Sequence, residues 1–205
     1  MRASKKTKTY HHKDLRLALI DEALKTLAMD GVSQLSLRDL ARKLGVSHSA
    51  PLRHFRSKND LLADLATQGF RMLTGAMQEA AAPHVGTAAV KALQCAGIAY
   101  VMFASRNSQL FRLMFAVDRI DSTRYPDLLK SGEAAKAALL TLVQAGIDGG
   151  ELSDRPATAL VLSCWALVHG IATLAIDHQL DTGAEAELNA VTACVLDLLQ
   201  RGIGL

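Results

Sequence analysis

Residues 36–55, SLRDLARKLGVSHSAPLRHF, decide the fold of this chain. Leu37, Leu40, Ala41 and Leu44 fall at i, i+3, i+4 and i+7, the spacing of one apolar helix face. Ser36 precedes this run and Asp39 stands three residues on, so the pair predicts a capping box that satisfies free N–H groups of the first turn. Gly45 follows the last apolar residue, where a left-handed C-cap costs glycine least. Val46 is apolar and can fill the angle after the turn. Ser47 can cap a second helix running from His48 to Phe55, which small Ala41 allows to approach closely. Two short helices around a tight turn form a helix-turn-helix, whose second helix lies in the major groove of DNA.

The second helix carries suitable chemistry. His48, Ser49, Arg53 and His54 bear hydrogen-bonding side chains of the kinds that reach base edges and phosphates. Helical spacing spreads them over the outer arc and turns Ala50 and Phe55 inward. Pro51 falls in or near the first turn, where a missing N–H costs least. The competing reading is an ordinary helical hairpin with a polar outer face. Charge weighs against it. Residues 1–60 hold 13 Lys/Arg against 6 Asp/Glu, a net of +7, whereas residues 61–205 hold 10 against 14, a net of −4. The overall +3 therefore hides a basic N-terminal part that suits a polyanionic partner.

With those residues in view, SLRDLARKLGVSHSAPLRHFRSKNDLL resembles the DNA-binding motif of the tetracycline-repressor-like (TetR) regulators. That pattern ends in a tyrosine, a variable residue, His-Phe and then Ser-Lys; His54, Phe55, Ser57 and Lys58 match it. Leu52 stands where the family usually has the tyrosine, which removes a hydroxyl that often touches phosphate. The Ala50-Pro51 pair resembles one branch of the family. The resemblance implies DNA contacts from Ser36, Ser47, His48, Ser49, Leu52, Arg53, His54 and Lys58.

The remaining chain reads as all-α. Half of its 205 residues are hydrophobic but only 4% are aromatic, so Leu, Ala, Val, Ile and Met must build the core. No run of alternating β-branched residues suggests a strand. We expect about nine helices: a three-helix helix-turn-helix head on a C-terminal helical bundle body. The expected boundaries are a basic flexible arm over 1–12, the head over 13–57, and a ligand-binding and dimerisation domain over 58–205. The arm is either a DNA-reaching extension or a solubilising tail. The first helix is expected from Asp14 to Met29, with Leu17, Ile20, Leu24 and Leu27 as its apolar face. Ser57 with Asp60, and Thr182 with Glu185, predict further capping boxes. Lys58, in the first turn of its helix, could reach a phosphate. Cys95, Cys164 and Cys194 are far apart and lack metal-ligand spacing, so buried free thiols in a reducing cytoplasm are expected. The lysine-bearing N-terminus has no apolar signal region, which also points to the cytoplasm.

Residues 157–176 form twenty consecutive residues without formal charge. Such a stretch can cross a bilayer or be buried in a helix bundle. Thr158, Ser163, His169, Gly170 and Thr173 and the missing basic flank favour the bundle. Here the chain again resembles the TetR family. LFRLMF at 110–115, followed by Trp165, His169 and Gly170 on one helix, is similar to the branch named for its Trp, His and Gly; Ser108 departs from a proline usual there. The resemblance implies an internal small-molecule pocket and a homodimer through the last two helices. Trp165 and His169, four apart, share a helix face and are either pocket wall and anchor or plain core. Tyr100, Phe103, Phe111, Met114 and Phe115 are candidates for the same ligand site, with Met102 beside them. Cys164 and His169 are five apart and point in different directions, and no phosphate loop, His-Glu-x-x-His or Gly-x-Ser-x-Gly is present. We therefore expect no enzyme, no cofactor and no metal, but a ligand-responsive regulator, most simply a repressor, bound to a palindromic double-stranded DNA operator. A helical enzyme or carrier without specific DNA binding, and a membrane-associated protein, are the competing classes.

Overall fold

The computed structural model describes residues 12–116, 122–153 and 155–203. The expected arm, except His12, lies outside them, as do residues 117–121, Asp154 and the last two residues. The described residues form eight α-helices: α1 (His12–Asp30), α2 (Leu37–Leu44), α3 (Lys58–Ala81), α4 (Ala89–Arg106), α5 (Ser108–Met114), α6 (Pro126–Asp148), α7 (Ala157–Ile176) and α8 (Glu185–Ile203). The ninth expected helix, His48 to Phe55, is replaced by a short 3-10 turn over Pro51–Arg53. The chain divides into two compact units, residues 1–68 with 109–128, and residues 69–108 with 129–205.

In the first unit, α1 packs on α2 and on two 3-10 turns, Val32–Gln34 and Pro51–Arg53. Leu19, Leu27, Leu35, Leu40, Phe55, Leu61 and Leu65 are fully buried. The apolar face of α1 differs from the expected one: Leu19, Ile20, Ala23 and Leu27 face inward, while Leu17 is 58% exposed. A helix this rich in Leu and Ala offers two overlapping stripes, and tertiary packing selects one. Lys43 ties α2 to α1 by donating to Thr26 Oγ1 at 2.8 Å, with Glu22 at 3.6 Å.

In the second unit, α4 packs against both α7 and α8, which also touch each other. Val101, Val143 and Leu160 are fully buried there. At Gly97 the α4 backbone comes close to both neighbours: a Cβ there would lie 3.0 Å from Leu196 and 3.3 Å from Val168. The start of α4 is capped from far along the chain, its Ala89 and Val90 N–H groups donating to the Glu151 carboxylate at 2.8 and 3.2 Å. By length and composition α7 could cross a membrane. Its Leu160, Cys164, Val168, Ile171, Ala172 and Ile176 are buried, whereas Leu162 and Leu174 are bare. The expected Thr182–Glu185 cap is shifted. Glu187 reaches back to the Gly183 and Ala184 N–H groups at 2.7 and 3.2 Å, and Glu185 instead pairs with Arg106.

Candidate DNA-binding surface and buried polar cluster

The head is organised as the sequence requires at α2. Ser36 Oγ accepts the Asp39 N–H at 3.0 Å and donates to the Asp39 carboxylate at 2.8 Å. That hydrogen bond, followed by one from Arg42, holds the Asp39 carboxyl below its usual pKa. Gly45 takes φ 68° and ψ 27°. The Gly45 N–H meets Arg42 O and the Val46 N–H meets Ala41 O, the paired bonds of a Schellman cap.

Beyond the cap the chain departs from the expected α-helix. Ala50, Arg53 and His54 N–H groups bond to Ser47, Ala50 and Pro51 carbonyls, each three residues back. Pro51 is the cause. It has no N–H to give Ser47 O, and its ring crowds that carbonyl in an α-helical path, so the chain tightens into a 3-10 turn. Pro51 is buried and Phe55 is 2% exposed, with the Arg16 guanidinium 5.6 Å over the Phe55 ring. Ser47, His48, Ser49, Leu52 and Arg53 are exposed, whereas Ser36 and His54 are half-buried. His54 therefore does not share the outer arc with His48 and Arg53. Lys58, expected at a phosphate, is half-buried and donates to Val32 O at 2.8 Å. An ammonium carries three donors, so this bond leaves capacity for a phosphate as well. Asp60 closes the far end: its N–H meets Ser57 Oγ at 3.2 Å, and its carboxylate accepts from the Arg56 N–H at 2.9 Å and the Tyr125 hydroxyl at 3.1 Å. Desolvation pushes its pKa up, but the bonds from Tyr125, Ser57 and Arg56 outweigh it and hold the carboxyl low.

The expected ligand residues fall into both units. Phe111, Met114 and Phe115 belong to the first, where the Phe111 and Phe115 rings stand 4.9 Å apart. Tyr100, Phe103, Trp165 and His169 belong to the second. There Tyr100, 4% exposed, has its hydroxyl 2.9 Å from His169 Nδ1. The Trp165 ring meets the His169 ring edge-on at 6.1 Å, and Lys136 Nζ lies 5.0 Å over Trp165. Burial pushes the Tyr100 phenol far up and the His169 imidazole down, so both are neutral at pH 7. Neutral imidazole protonated on Nε2 lets Nδ1 accept the phenol O–H. Sequence spacing paired His169 with Trp165 only; its contact with Tyr100, 69 residues away, had no local signal. Burial also pushes the Cys164 thiol up to about 11, which leaves no thiolate for nucleophilic chemistry. No cluster of three or more His, Cys, Asp or Glu able to hold a metal occurs among the described residues.

A capped helix and a tight turn with outward Arg and His build a head of the helix-turn-helix type found in DNA-binding regulators. The comparisons with known proteins give the family. Residues 19–65 match the bacterial regulatory proteins of the tetR family, and residues 93–199 match the tetracyclin repressor-like C-terminal domain. The chain belongs to the TetR family. A Rhodococcus sp. RHA1 protein of unknown function has a similar structure, 34% identical, with a TM-score of 0.85 over 97% of this chain and 100% of that one. A tetR-family regulatory protein from Rhodococcus RHA1 superimposes with a TM-score of 0.70 at 18% identity, over 92% of this chain and 96% of its own. The TetR family regulator PfmR from Thermus thermophilus does so at 0.67 and 20% identity, over 89% and 97%. None of the curated proteins matches the chain.

Proposed function

We propose that the protein is a cytoplasmic, homodimeric repressor that leaves a palindromic operator when a small molecule enters its helical body. The observation that carries this reading is the outer side of α7 and α8. Leu162 and Leu198 are 60% and 62% exposed there, and Leu174 and Val191 are bare as well. Ala159, Ser163 and Ala166 on α7, and Ala190 and Cys194 on α8, continue the exposed surface at helical spacing. An apolar stripe of that kind on a lone subunit marks an interface. A second copy covers it through a self-complementary two-fold contact. Two heads then face two half-sites, which is what a palindrome requires.

The small-molecule part of the reading rests on Tyr100, His169 and Trp165. They give an apolar bundle two neutral hydrogen-bonding groups and an aromatic wall, the make-up of a ligand site. Phe103 lies on the same helix as Tyr100, and the Trp165, His169 and Gly170 pattern supports the Trp-His-Gly branch. The ligand must bind the non-DNA conformation more tightly, since equal affinity shifts nothing. Ser47, His48, Ser49 and Arg53 are assigned to the groove. Ser36, Lys58 and the N-terminal arm are assigned to phosphates, where they supply sequence-blind, salt-dependent affinity. We assign no catalytic step to the protein.

The test is selection of random duplex DNA by the purified full chain at near-physiological salt, followed by a small-molecule screen for release. An enriched palindrome with half-sites about one helical turn apart or a multiple of it is expected, together with compounds that displace it. Retention of DNA without sequence preference, or compounds that bind without changing DNA affinity, would sink the proposal.

A further inference from the structure

Leu52 occupies the middle of the Pro51–Arg53 turn and is 55% exposed. Its outward neighbours on the same stretch, His48, Ser49 and Arg53, are all hydrogen-bonding residues, while Pro51 and Phe55 point into the head. A single exposed leucine is ordinary on a protein surface. This one is placed differently. It projects from a knuckle held by successive three-residue hydrogen bonds and by the fixed φ of Pro51, so little backbone freedom is lost when it meets a partner. Its isobutyl group has no polar atom and cannot bond a phosphate or a base edge. The apolar feature that base edges offer in the major groove is the C5-methyl of thymine.

We propose that Leu52 is a specificity-determining residue that reads a thymine C5-methyl in each half-site of the operator. Arg53, its neighbour, suits the O6 and N7 acceptors of guanine, so the contacted thymine lies close to a guanine. The inference rests on the reading that this turn enters the major groove.

The experiment uses the full chain and the operator it selects from random duplexes. Each thymine of one half-site is replaced in turn by deoxyuridine, which deletes the methyl and keeps the base pair. Burying one methyl-sized group predicts a loss of about fourfold at one position for the native protein. Leu52→Ala, at an exposed position and with an unchanged melting temperature, binds the thymine and deoxyuridine duplexes alike. Leu52→Met, still apolar and of similar reach, keeps the preference. A flat scan with the native protein overturns the proposal, and so does a Leu52→Ala protein that retains the methyl dependence. Arg53→Ala separates the two levels. If it abolishes operator selectivity while the scan is flat, the turn is in the groove and only the Leu52 assignment falls. If it leaves selectivity intact, the turn is not in the groove and both readings fall.

Discussion

His169 is held neutral by the bundle around it, and that ties stability to pH in one direction. Burial lowers its folded pKa below the ordinary value of 6.5, so the unfolded chain takes up the proton first as pH falls. Its contribution is complete above about pH 7 and is lost as pH drops through 6.5 toward the folded value. Thermal melts from about pH 7.5 to 5 should show native stability falling, and His169→Gln should flatten that part of the slope; equal slopes for both proteins would show that His169 is not buried as described. Its partner is open to a separate measurement. Tyr100→Phe keeps the ring and removes the O–H···Nδ1 bond, so it should cost about 1 kcal/mol, or roughly 2–4 °C in melting temperature for a chain of this size. An unchanged Tm would mean the hydroxyl and the imidazole are not bonded in solution.

Two helix ends use the same cap with different residues. Gly45 closes α2 in the left-handed region, and His178 closes α7 there at φ 55°, with the Gln179 N–H on Leu174 O and the His178 N–H on Ala175 O. Glycine adopts that conformation freely, whereas a Cβ makes it costly. Gly45→Ala should therefore destabilise by about 1 kcal/mol and His178→Gly should stabilise by about 0.5–1 kcal/mol. Opposite signs in denaturant midpoints are the expected result, and a destabilised His178→Gly would contradict the cap. The first cap was legible in the sequence because serine, an apolar run and glycine stood at fixed offsets. The second was not, because histidine is no terminator signal and only packing forces it there. The same division holds elsewhere. Ser36–Asp39 and Ser57–Asp60 are local and were readable; Glu151 on α4 and Tyr100 on His169 join residues 62 and 69 apart, and no periodicity encodes them. Pro51 was visible, but the sequence reading placed it in the first turn of an α-helix, whereas its missing N–H leaves only a 3-10 turn over Pro51–Arg53. Leu17 shows a further limit, since an amphipathic pattern with two candidate stripes does not say which one the head will bury. The segment after the Pro51–Arg53 turn also depends on a non-local bond, from Tyr125 to Asp60. Tyr125→Phe removes a donor from Asp60 beside Arg56 and Ser57, and it should weaken operator binding a few-fold while leaving dimerisation unchanged. Equal affinity for Tyr125→Phe and native protein would show that this bond does not position the turn.

At the scale of the whole molecule, the proposed two-fold contact through the outer faces of α7 and α8 would bring two heads to the DNA. Leu198, the more exposed of the two leading leucines, should lie inside the proposed two-fold interface with Cys194 one turn away. A charge there has no partner and must be desolvated on association, a cost of several kcal/mol, so Leu198→Glu is expected to run as a monomer in light scattering at concentrations where the native chain is a dimer. Joining two heads multiplies affinity by roughly 10²–10⁴ through effective concentration alone. The variant should therefore lose at least about a hundredfold in binding to a two-half-site duplex, yet bind a single half-site as the native head does. Cysteine alkylation gives an independent reading on the same protein. Cys164 is buried with its thiol pushed up to about 11, so it stays unlabelled at about pH 8 in both proteins. Cys194 is exposed on the isolated chain and should be shielded in the native dimer but labelled quickly in Leu198→Glu. Rapid labelling of Cys194 in the native protein at dimer concentrations would place the two-fold contact elsewhere, and the spacing of the heads would then have to come from a different pair of helices.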